Sequence, residues 1–306
     1  MLNLKKNYSI IIMISIYLIA LILGAFSFYI CGLIVSNILF QTIVFEVIAT
    51  LVVWGFGLLF KNASTYDPYW SVIPPIIILS WIFILKSSLT IGVLLLVISI
   101  FVWGIRLTYN WYINWQDLTK EDWRYQMIKE KAPKVWFLSN LFGINLMPTT
   151  IVFIQLIGAY SFLKLGPQLN YIIVLGFIMS LSASVIQFIS DKQMRAFRLS
   201  NIDKKKCINE GLWSVSRHPN YFGEVLMWWG LWVMYFGAFR SIDLMLVAPI
   251  LMNALFLFIS IPMMEKKILI SRPEYSDYQQ KVSILLPFFP KRKSEEMNEF
   301  QQSIKE

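Results

Sequence analysis

Charged residues, cysteines and histidines are scarce in this sequence. Only 15% of its 306 residues are Asp, Glu, Lys or Arg, whereas soluble domains carry about 25%. Hydrophobic residues make up 57% and aromatic residues 16%. Because so little polar surface is available to face water, the composition excludes an ordinary soluble enzyme, a disordered chain and a disulfide-stapled secreted module.

The few cysteines and the single histidine also limit the chemistry. Cys31 lies in a hydrophobic segment and Cys207 beside a run of lysines, which gives neither a metal-binding spacing nor an expected disulfide. His218 is the only histidine, and one is too few for a histidine-built metal centre. We therefore expect no metal site, and chemistry that depends on an organic cofactor or on carboxylate and hydroxyl groups.

The excess of basic residues indicates membrane topology rather than nucleic-acid binding. The chain has 27 Lys and Arg residues against 18 Asp and Glu residues, a net charge of +9. Basic loops beside apolar segments set the orientation of membrane proteins and contact anionic lipid headgroups. We therefore predict a lipid bilayer as a partner and no nucleic acid.

Long apolar segments follow one another along the chain, and about 20 apolar residues suffice to cross the hydrocarbon core. We predict an all-α, multi-pass transmembrane helical bundle of seven or eight spans, built as a single membrane domain over residues 1–306. The third span is short and begins near Pro74 and Pro75, so it is a candidate for a broken, tilted or partly re-entrant segment. The predicted spans are Tyr8–Ile34, Ile38–Phe60, Val72–Leu85, Ile91–Tyr109, Leu138–Leu163, Asn170–Ser190, Tyr221–Phe239 and Leu244–Met264.

The distribution of basic residues predicts the orientation. With eight alternating spans and a cytoplasmic N-terminus, all of the 27 basic residues except Lys86, Lys164 and Arg240 fall on the cytoplasmic side. This asymmetry follows the positive-inside rule and predicts both termini in the cytoplasm of a bacterial cell or on the cytoplasmic face of the endoplasmic reticulum. Most polar residues collect on the same side, so we expect a ligand site that opens to the cytoplasm.

The segment Ser216–Glu224, with the sequence Ser-Arg-His-Pro-Asn-Tyr-Phe-Gly-Glu, leads into a Trp-rich span. A helix start is the plain explanation, because Pro219 suits the first turn of a helix. However, Asn220, Tyr221 and Glu224 have helical spacing and would place one polar face in an apolar span. Because an ionisable side chain at that depth is costly, Glu224 indicates a functional site.

Basic residues in two places are candidates to bind a phosphate group. Asp191, Arg195 and Arg198 lie at i, i+4 and i+7 and would share one helix face, where guanidinium groups bind phosphate in bidentate geometry. A snorkelling, ion-paired helix end explains the same pattern. Arg217 and His218 flank the next helix N-terminus, which favours an anion. Together these residues predict a diphosphate clamp.

Other polar residues near the predicted span ends are further candidates. Arg106, Tyr109 and Asn110 share a helix face at the membrane edge. Asp67 is the residue of the Tyr66–Ser71 segment that suggests a function, since aromatic residues at an interface usually form a belt. Glu46 lies well inside the second span, where it either polarises a substrate or stands near the edge of the bundle.

Several nucleotide and acyl-transfer motifs are missing from the sequence. It has no Gly-x-Gly-x-x-Gly fingerprint, no Walker phosphate loop and no Gly-x-Ser-x-Gly elbow, which argues against a soluble dinucleotide-binding domain. Any nucleotide must then bind between membrane helices and their loops. The triplet Asn62-Ala63-Ser64 matches a glycosylation acceptor, but its expected cytoplasmic placement makes the match fortuitous.

The motifs together resemble a known family. The segment Ser216–Glu224 resembles the signature of the steroid 5-alpha-reductase-like membrane reductases, and the domain-of-unknown-function 1295 branch of that family is the most similar in its other motifs. These are Asp67-x-x-Trp70-Ser71, the pattern from Arg106-Leu107 through Asn114 to Glu121-Asp122-x-Arg124-Tyr125, Asp191-x-Gln193, and Pro273–Tyr278 followed by Leu286-Pro287-Phe288. The resemblance covers most of the chain, and it divides residues 1–306 into N-terminal spans (1–60), a reductase-like body (61–290) and a charged cytoplasmic tail (291–306).

The resemblance implies an all-helical membrane reductase that binds NADPH in a cytoplasm-facing cavity. By matching position, Asp191, Arg195 and Arg198 would contact the adenosine and diphosphate portion of the cofactor. Asn220 and Glu224 would contact its nicotinamide end. The remaining cofactor-binding candidates are Arg106, Asn114 and Tyr278, which match further family positions, and Arg217 from the anion-binding argument.

One position departs from the family pattern. The tyrosine that polarises the substrate carbonyl in steroid reductases is replaced here by Trp103, which has no phenolic proton to donate. This argues against a steroid enone as the substrate. Glu46 is a candidate for the partner glutamate of the second span, and Tyr109, Tyr221 and His218 are candidates for the proton donor.

The sequence therefore predicts an NAD(P)H-dependent reductase of a lipophilic substrate, a steroid-, polyprenyl- or lipid-like enone with an activated C=C bond. The alternative is an S-adenosylmethionine-dependent membrane methyltransferase of the isoprenylcysteine or phospholipid type, because Arg217–Gly223 also matches the shorter motif of those enzymes. The Asp191, Arg195 and Arg198 face favours the reductase, since a sulfonium cofactor needs no diphosphate clamp. A transporter or lipid-binding scaffold would distribute polar residues along a path through the bilayer.

Overall fold

The computed structural model describes residues 2–201, 203 and 206–289. All regular secondary structure within these residues is helical, which confirms the all-α class. The α-helices are α1 (Leu2–Gly32), α2 (Ile38–Leu59), α3 (Tyr69–Leu85), α4 (Ile91–Asn114), α5 (Trp123–Lys131), α6 (Trp136–Leu138), α7 (Met147–Leu165), α8 (Tyr171–Ser200), α9 (Pro219–Phe239), α10 (Val247–Ala254), α11 (Ile261–Ser271) and α12 (Tyr275–Lys281). Short 3-10 segments cover Ala63–Tyr66, Pro133–Val135, Gly211–Ser214 and Leu244–Leu246, and π-helical segments cover Ser139–Leu146 and Leu255–Ser260. The predicted charged tail, 291–306, lies outside the described residues.

Seven helical segments of the described chain are long and apolar enough to cross a membrane, so the protein is an integral membrane protein. These segments are Lys5–Gly32, Ile38–Leu59, Ala63–Leu85, Ile91–Asn114, Pro133–Leu165, Tyr171–Ser200 and Leu244–Ser271. Helix α9 is not among them, although its 21 residues form an unbroken helix. The count agrees with the prediction of seven or eight spans.

The third span is continuous rather than broken. Helix α3 begins at Tyr69 and includes both Pro74 and Pro75. Proline lacks a backbone N–H, so Pro75 leaves the carbonyl of Ser71 without its intrahelical donor. Gly104 of α4 lies against this oxygen, and a Cβ there would be only 2.7 Å from it. Close packing of α3 and α4 therefore accommodates the two prolines.

The chain forms two compact units. Unit 1 comprises Met1–Asn170 and Gly237–Ser241, and unit 2 comprises Tyr171–Phe236 and Ile242–Glu306. The functional boundaries predicted at residues 60 and 290 stay predictions. Within unit 1, α1 packs along α2, and α3 packs against α4 and α7. Buried aromatic side chains fill its core, among them Trp81, Trp103 and Phe162.

Small residues bring α8 and α9 of unit 2 close together. A Cβ on Gly176 would lie 2.5 Å from the carbonyl oxygen of Gly230, and one on Gly230 would lie 2.3 Å from Ser180 Oγ. Further along the crossing, a Cβ on Gly223 would lie 2.3 Å from Gln187 Cγ. Such small-residue contacts are a common way for membrane helices to associate. Here they place the polar side chains of the two helices within hydrogen-bonding distance.

Candidate functional site

Glu224, a residue of α9, lies in the interior of unit 2 and hydrogen-bonds one side chain of α8 and one of its own helix. The residue is 3% exposed. Its Oε2 accepts a hydrogen bond of 2.6 Å from Gln187 Nε2, and its Oε1 accepts one of 3.0 Å from Trp228 Nε1. Gln187 Oε1 is buried and has no hydrogen-bond partner among the described residues. This pair therefore presents acceptors that suit a ligand with N–H groups, such as a carboxamide.

Gln187 is the first of four polar residues that follow one face of α8. Gln187, Asp191, Arg195 and Arg198 are separated by four, four and three residues, and all belong to one uninterrupted α-helix. At 1.5 Å per residue this polar line extends for about 16 Å. The structure thus confirms that the predicted clamp residues share a helix, and it connects their face to Glu224.

The outer end of the polar line is partly accessible. Asp191 and Arg195 are partly exposed, and Arg198 is exposed. Asp191 and Arg272 of unit 2 lie within electrostatic range of Arg198. Guanidinium groups in this setting bind phosphate oxygens through several N–H donors. The line therefore begins at the neutral amide of Gln187, which bonds Glu224 of α9, and ends at guanidinium groups.

The loop after α8 folds back onto the same helix. Gln193 Oε1 accepts a hydrogen bond of 3.0 Å from the backbone N–H of Leu212, and Trp213 Nε1 donates one of 3.0 Å to the carbonyl of Ser190. Gly211 has a φ of +58°, and a Cβ there would lie 2.1 Å from Gln193 Nε2. Gln193, part of the Asp-x-Gln motif, therefore holds this loop in place.

Arg217 and His218, which were predicted to bind an anionic ligand, both contact a carboxylate of their own unit. Arg217 Nε lies 3.0 Å from Glu265 Oε1 as an ion pair without hydrogen-bond geometry. His218 Nε2 lies 3.0 Å from the same oxygen. Tyr275 donates a hydrogen bond of 3.1 Å to Oε1, and Gln279 Nε2 donates one of 2.7 Å to Oε2. The positive charge of Arg217 is thus compensated within the chain.

Glu265 was not a candidate from the sequence. The sequence did contain a signal for Glu265, because it is an ionisable residue near the end of the last apolar span. An ionisable residue in an apolar span was also the reason for considering Glu224. The sequence did not show which residues contact Glu265: these come from α12 and from the loop before α9. The role predicted for Arg217 in cofactor binding stays a prediction, and its observed contacts hold these elements together.

The segment after α12 runs beside the motif that precedes α9. Ser216 Oγ donates a hydrogen bond of 2.7 Å to the carbonyl of Leu285, and the backbone N–H of Arg217 donates one of 2.8 Å to the carbonyl of Ser283. The N–H of Phe288 donates one of 3.0 Å to the carbonyl of Val215. Backbone pairing therefore fixes the C-terminal segment next to the signature motif.

Tyr278 is a second link between the C-terminal segment and the motif. Its hydroxyl donates a hydrogen bond to the carbonyl of Trp213, and the carbonyl of Ser216 lies 3.4 Å from the same hydroxyl oxygen. Burial raises the pKa of Tyr278, so the hydroxyl keeps its proton at neutral pH and remains a donor. The family resemblance made Tyr278 a cofactor-binding candidate, and in the structure its hydroxyl contacts the loop that precedes α9.

His218 and Tyr221 are neighbours at the start of α9. Their rings stack with centroids 5.4 Å apart and planes inclined by 8°. Tyr221 also contacts Phe256, whose ring centroid lies 4.8 Å from that of Tyr221. Phe256 belongs to a π-helical segment, a local distortion that is frequent at functional sites. Two of the proton-donor candidates therefore lie together in unit 2.

The remaining site candidates lie in unit 1. Glu46 is 3% exposed, so it is buried rather than at the edge of the bundle. Its Oε2 accepts a hydrogen bond of 3.3 Å from Tyr69. Tyr109 is 51% exposed on α4. Arg106 is partly exposed, and Asn114 is exposed and donates hydrogen bonds through Nδ2 to the backbone and side chain of the preceding turn.

Two motifs that supported the family resemblance form one contact in unit 1. Tyr125 donates a hydrogen bond of 2.5 Å to Asp67 Oδ1. The backbone N–H of Asp122 donates one of 2.8 Å to Ser64 Oγ. Burial, followed by the charge of Asp67, raises the pKa of Tyr125 well above its ordinary value, so the hydroxyl remains a donor. Asp67, a functional candidate in the sequence, is thus part of a structural link.

The glycosylation-like triplet belongs to the same link. Asn62 is buried, and its Nδ2 donates hydrogen bonds of 2.7 Å and 3.2 Å to the carbonyls of Leu118 and Lys120. Its Oδ1 accepts one of 2.9 Å from the N–H of Ser64. The amide is fully engaged inside the protein, which agrees with the interpretation of the triplet as fortuitous.

We expect Tyr125→Phe to destabilise the protein by about 1 kcal/mol, because it removes one hydrogen-bond donor from the partly buried Asp67 carboxylate. The measurement is the free energy of unfolding of the detergent-solubilised chain. Tyr112→Phe is the matched control, since Tyr112 is 45% exposed and its ring contacts Lys6. Equal stability of the two variants would show that the hydrogen bond from Tyr125 to Asp67 does not contribute to the free energy of unfolding.

Comparison with known proteins identifies the family. The family model described as "Protein of unknown function (DUF1295)" matches residues 53–282. The chain belongs to the DUF1295 family. An uncharacterized protein of Schizosaccharomyces pombe is 26% identical to it over 221 residues, which cover 63% of each chain. The chain thus spans less than two thirds of that relative's length. No solved structure matches it.

The DUF1295 match includes almost all of the site candidates. Residues 53–282 contain the polar line of α8, the signature motif before α9 and the Glu265 cluster, whereas Glu46 lies outside the match. No group of three or more His, Cys, Asp and Glu residues in the described part of the chain is arranged to hold a metal ion.

Proposed function

We propose that this DUF1295 protein is an NAD(P)H-dependent reductase of a lipophilic substrate. The observation that supports the proposal is the polar line of α8, which connects the buried Glu224–Gln187 pair to Arg195 and Arg198. A nicotinamide dinucleotide has the matching chemistry, with a neutral carboxamide at one end and a diphosphate in its middle. The proposal also rests on the resemblance to steroid 5-alpha-reductase-like membrane reductases.

The residues of unit 2 suit both ends of such a cofactor. Gln187 Oε1 and the Glu224 carboxylate are acceptors for carboxamide N–H groups. Arg195 and Arg198 are donors for phosphate oxygens. Arg217 and His218 are engaged with Glu265, so the proposal assigns the diphosphate to the Asp191, Arg195 and Arg198 face. When bound, the cofactor supplies the hydride, while the chain binds it, orients it and excludes water.

The substrate class follows from the membrane setting. A steroid-, polyprenyl- or lipid-like molecule with an activated C=C bond would enter from the bilayer, and the cofactor would enter from the cytoplasm, where we propose that both termini lie. Reduction of the double bond consumes one hydride and one proton. His218, Tyr221 and Tyr109 remain the proton-donor candidates from the sequence, and the rings of His218 and Tyr221, both in the signature motif, stack on each other.

Binding of NADPH to the purified full-length protein tests the proposal. We expect saturable binding, measured by fluorescence of the reduced nicotinamide. Arg195→Ala should weaken it by about tenfold to a hundredfold, because a hydrogen bond to a charged group contributes roughly 1.5–3 kcal/mol. Lys192→Ala is the control for loss of one positive charge, since Lys192 is an exposed basic residue of the same helix that is not a member of the polar line. The affinity of the Lys192→Ala variant for NADPH should equal that of the unmodified protein.

The same binding experiment distinguishes the reductase from the alternative function, a membrane methyltransferase. The shorter motif Arg217–Gly223 also matches membrane methyltransferases, so S-adenosylmethionine is titrated in parallel. Binding of S-adenosylmethionine without binding of NADPH would replace the reductase by the methyltransferase. Binding of NADPH that is equally strong in Arg195→Ala and Lys192→Ala would remove the α8 face from the cofactor site.

A further inference from the structure

Two buried polar atoms of unit 1 have no hydrogen-bond partner within the described residues. Asn145 is 1% exposed, and its Oδ1 accepts no hydrogen bond there. Trp54 Nε1 is buried as well, and its N–H has no acceptor in the described part of the chain. A buried polar group without a partner is costly, so each such group in a native protein calls for a ligand, an ion or a water. The two atoms are complementary, since one is an acceptor and the other a donor.

The orientation of the Asn145 amide is fixed by its neighbour. Asn145 Nδ2 donates hydrogen bonds of 2.8 Å to the backbone carbonyl of Asn140 and of 2.9 Å to Asn140 Oδ1. Because a backbone carbonyl only accepts, the amide atom beside it is Nδ2 and the other atom is Oδ1. These two bonds use both N–H groups of the amide. The remaining capacity of the Asn145 side chain is therefore that of an acceptor.

Two contacts place Trp54 and Asn145 in the same part of unit 1. Thr50 Oγ1 of α2 lies 3.0 Å from Thr149 Oγ1 of α7. The rings of Trp54 and Phe137 form the second contact, with centroids 4.9 Å apart. Trp54 follows Thr50 by one helical turn, whereas Asn145 precedes Thr149 and its carbonyl accepts a hydrogen bond of 2.9 Å from Thr149 Oγ1. The two chain segments therefore run antiparallel, and the unpartnered atoms belong to the stretch that these contacts bound.

This part of unit 1 borders the lipid-facing surface. Phe137 is 54% exposed and Phe142, in the π-helical segment of Asn145, is 58% exposed. Both belong to the apolar span Pro133–Leu165. Trp54 lies five residues before the end of α2, which is about 8 Å along the helix axis. A lipophilic ligand from the bilayer would thus present its polar end close to the membrane boundary.

A neutral hydroxyl group has the chemistry that matches both atoms. A hydroxyl oxygen accepts a hydrogen bond from the N–H of Trp54 and donates one to Asn145 Oδ1. A carboxylate has no proton for Asn145, and an ammonium group has no lone pair for Trp54. We propose that unit 1 contains a binding site for the hydroxyl end of a lipophilic alcohol, held between Trp54 Nε1 and Asn145 Oδ1. The π-helical segment supplies the acceptor, and such segments are frequent at functional sites.

The alcohol site goes beyond the proposed function and does not rest on it. Trp54 and Asn145 belong to unit 1, whereas the residues proposed to bind the cofactor through the polar line of α8 belong to unit 2. Neither residue was a candidate from the sequence, because a tryptophan and an asparagine in apolar spans have no spacing that relates them.

Binding of tritiated hexadecanol to the full-length protein in mild detergent tests the alcohol site, with a scintillation proximity assay as the measurement. Methyl hexadecyl ether is the comparison probe, added as an unlabelled competitor. Its oxygen accepts a hydrogen bond but donates none. We expect hexadecanol to bind saturably and about tenfold more tightly than the ether, because the ether leaves Asn145 Oδ1 without a donor.

Variants of the two residues locate the site. Trp54→Phe keeps an aromatic ring against Phe137 and removes the N–H, so its affinity for hexadecanol should fall by about tenfold. Trp232→Phe is the matched control, because Trp232 Nε1 is also buried without a partner among the described residues but belongs to unit 2. Its affinity for hexadecanol should be unchanged. Asn145→Leu should abolish the preference for the alcohol over the ether.

Three results would overturn the alcohol site. They are the absence of saturable hexadecanol binding, equal affinities of the unmodified protein for the alcohol and the ether, and equal affinities of the Trp54 and Trp232 variants for hexadecanol. If Asn145→Leu does not fold, the comparison of alcohol and ether in the unmodified protein still tests the acceptor. No NADPH is present in this experiment, so its outcome is independent of the cofactor titration.

Discussion

Glu265→Ala is expected to cost about 3–5 kcal/mol of unfolding free energy, the magnitude observed when one partner of a buried ion pair is removed. Its side chain is 11% exposed and that of Arg217 is 10% exposed. Without the carboxylate, the guanidinium charge of Arg217 remains buried with no compensating anion. His218, Tyr275 and Gln279 lose their shared acceptor at the same time.

The loss is measured by unfolding the protein in mixed micelles with increasing denaturing detergent, with tryptophan fluorescence as the signal. Glu274→Ala is the control, because Glu274 is an exposed acid next to the same helix α12 and surface substitutions usually change stability by less than about 0.5 kcal/mol. We expect the Glu265 variant also to release the C-terminal segment to limited proteolysis. If the Glu265 variant were as stable as the Glu274 variant, the contacts of the Glu265 carboxylate would not stabilise the folded protein.

Gly230→Leu is expected to destabilise unit 2 by about 3 kcal/mol or more, beyond the usual cost of an oversized core residue. The nearest atoms to a Cβ at this position are Ser180 Oγ at 2.3 Å, and the carbonyl of Gly176 and the N–H of Ser180 at 2.8 Å. Two of these three atoms belong to the backbone and cannot move without moving α8. The helices must therefore separate.

Gly55→Leu is the matched control for this substitution. Gly55 also lies inside a long helix, but a Cβ there meets no atom within 4 Å. The control should therefore be neutral or slightly stabilising, since leucine has a higher helix propensity than glycine by up to about 1 kcal/mol. Both variants are compared by detergent-induced unfolding. Similar stabilities would contradict the close approach of α8 and α9.

The helices of this protein were largely predictable from the sequence. The prediction of Ile38–Phe60 for the second span compares with Ile38–Leu59 in the structure. The sixth helix in the prediction ended at Ser190, whereas α8 continues to Ser200. Hydropathy detects where a helix enters the bilayer, but it does not detect a polar extension beyond it. The extension matters because it joins Arg195 to the buried part of the helix.

The partners of the polar side chains were not predictable in the same way. The sequence placed Arg217 and His218 at a helix N-terminus and assigned them to an anionic ligand, and the structure places both beside Glu265, 48 and 47 residues away in sequence. Likewise, Glu46 was a candidate by itself, and its contact with Tyr69 connects two different spans. No local pattern encodes such pairs.

The sequence by itself determined the class of the protein and the helix faces. Apolar segments of about 20 residues have no stable place except a membrane, and the helical period of 3.6 residues places Asp191, Arg195 and Arg198 on one face whatever surrounds them. Only the tertiary structure decided which faces meet. Contacts such as Gly176 with Gly230 depend on side-chain volumes in segments far apart along the chain, and these contacts then bring Gln187 to Glu224.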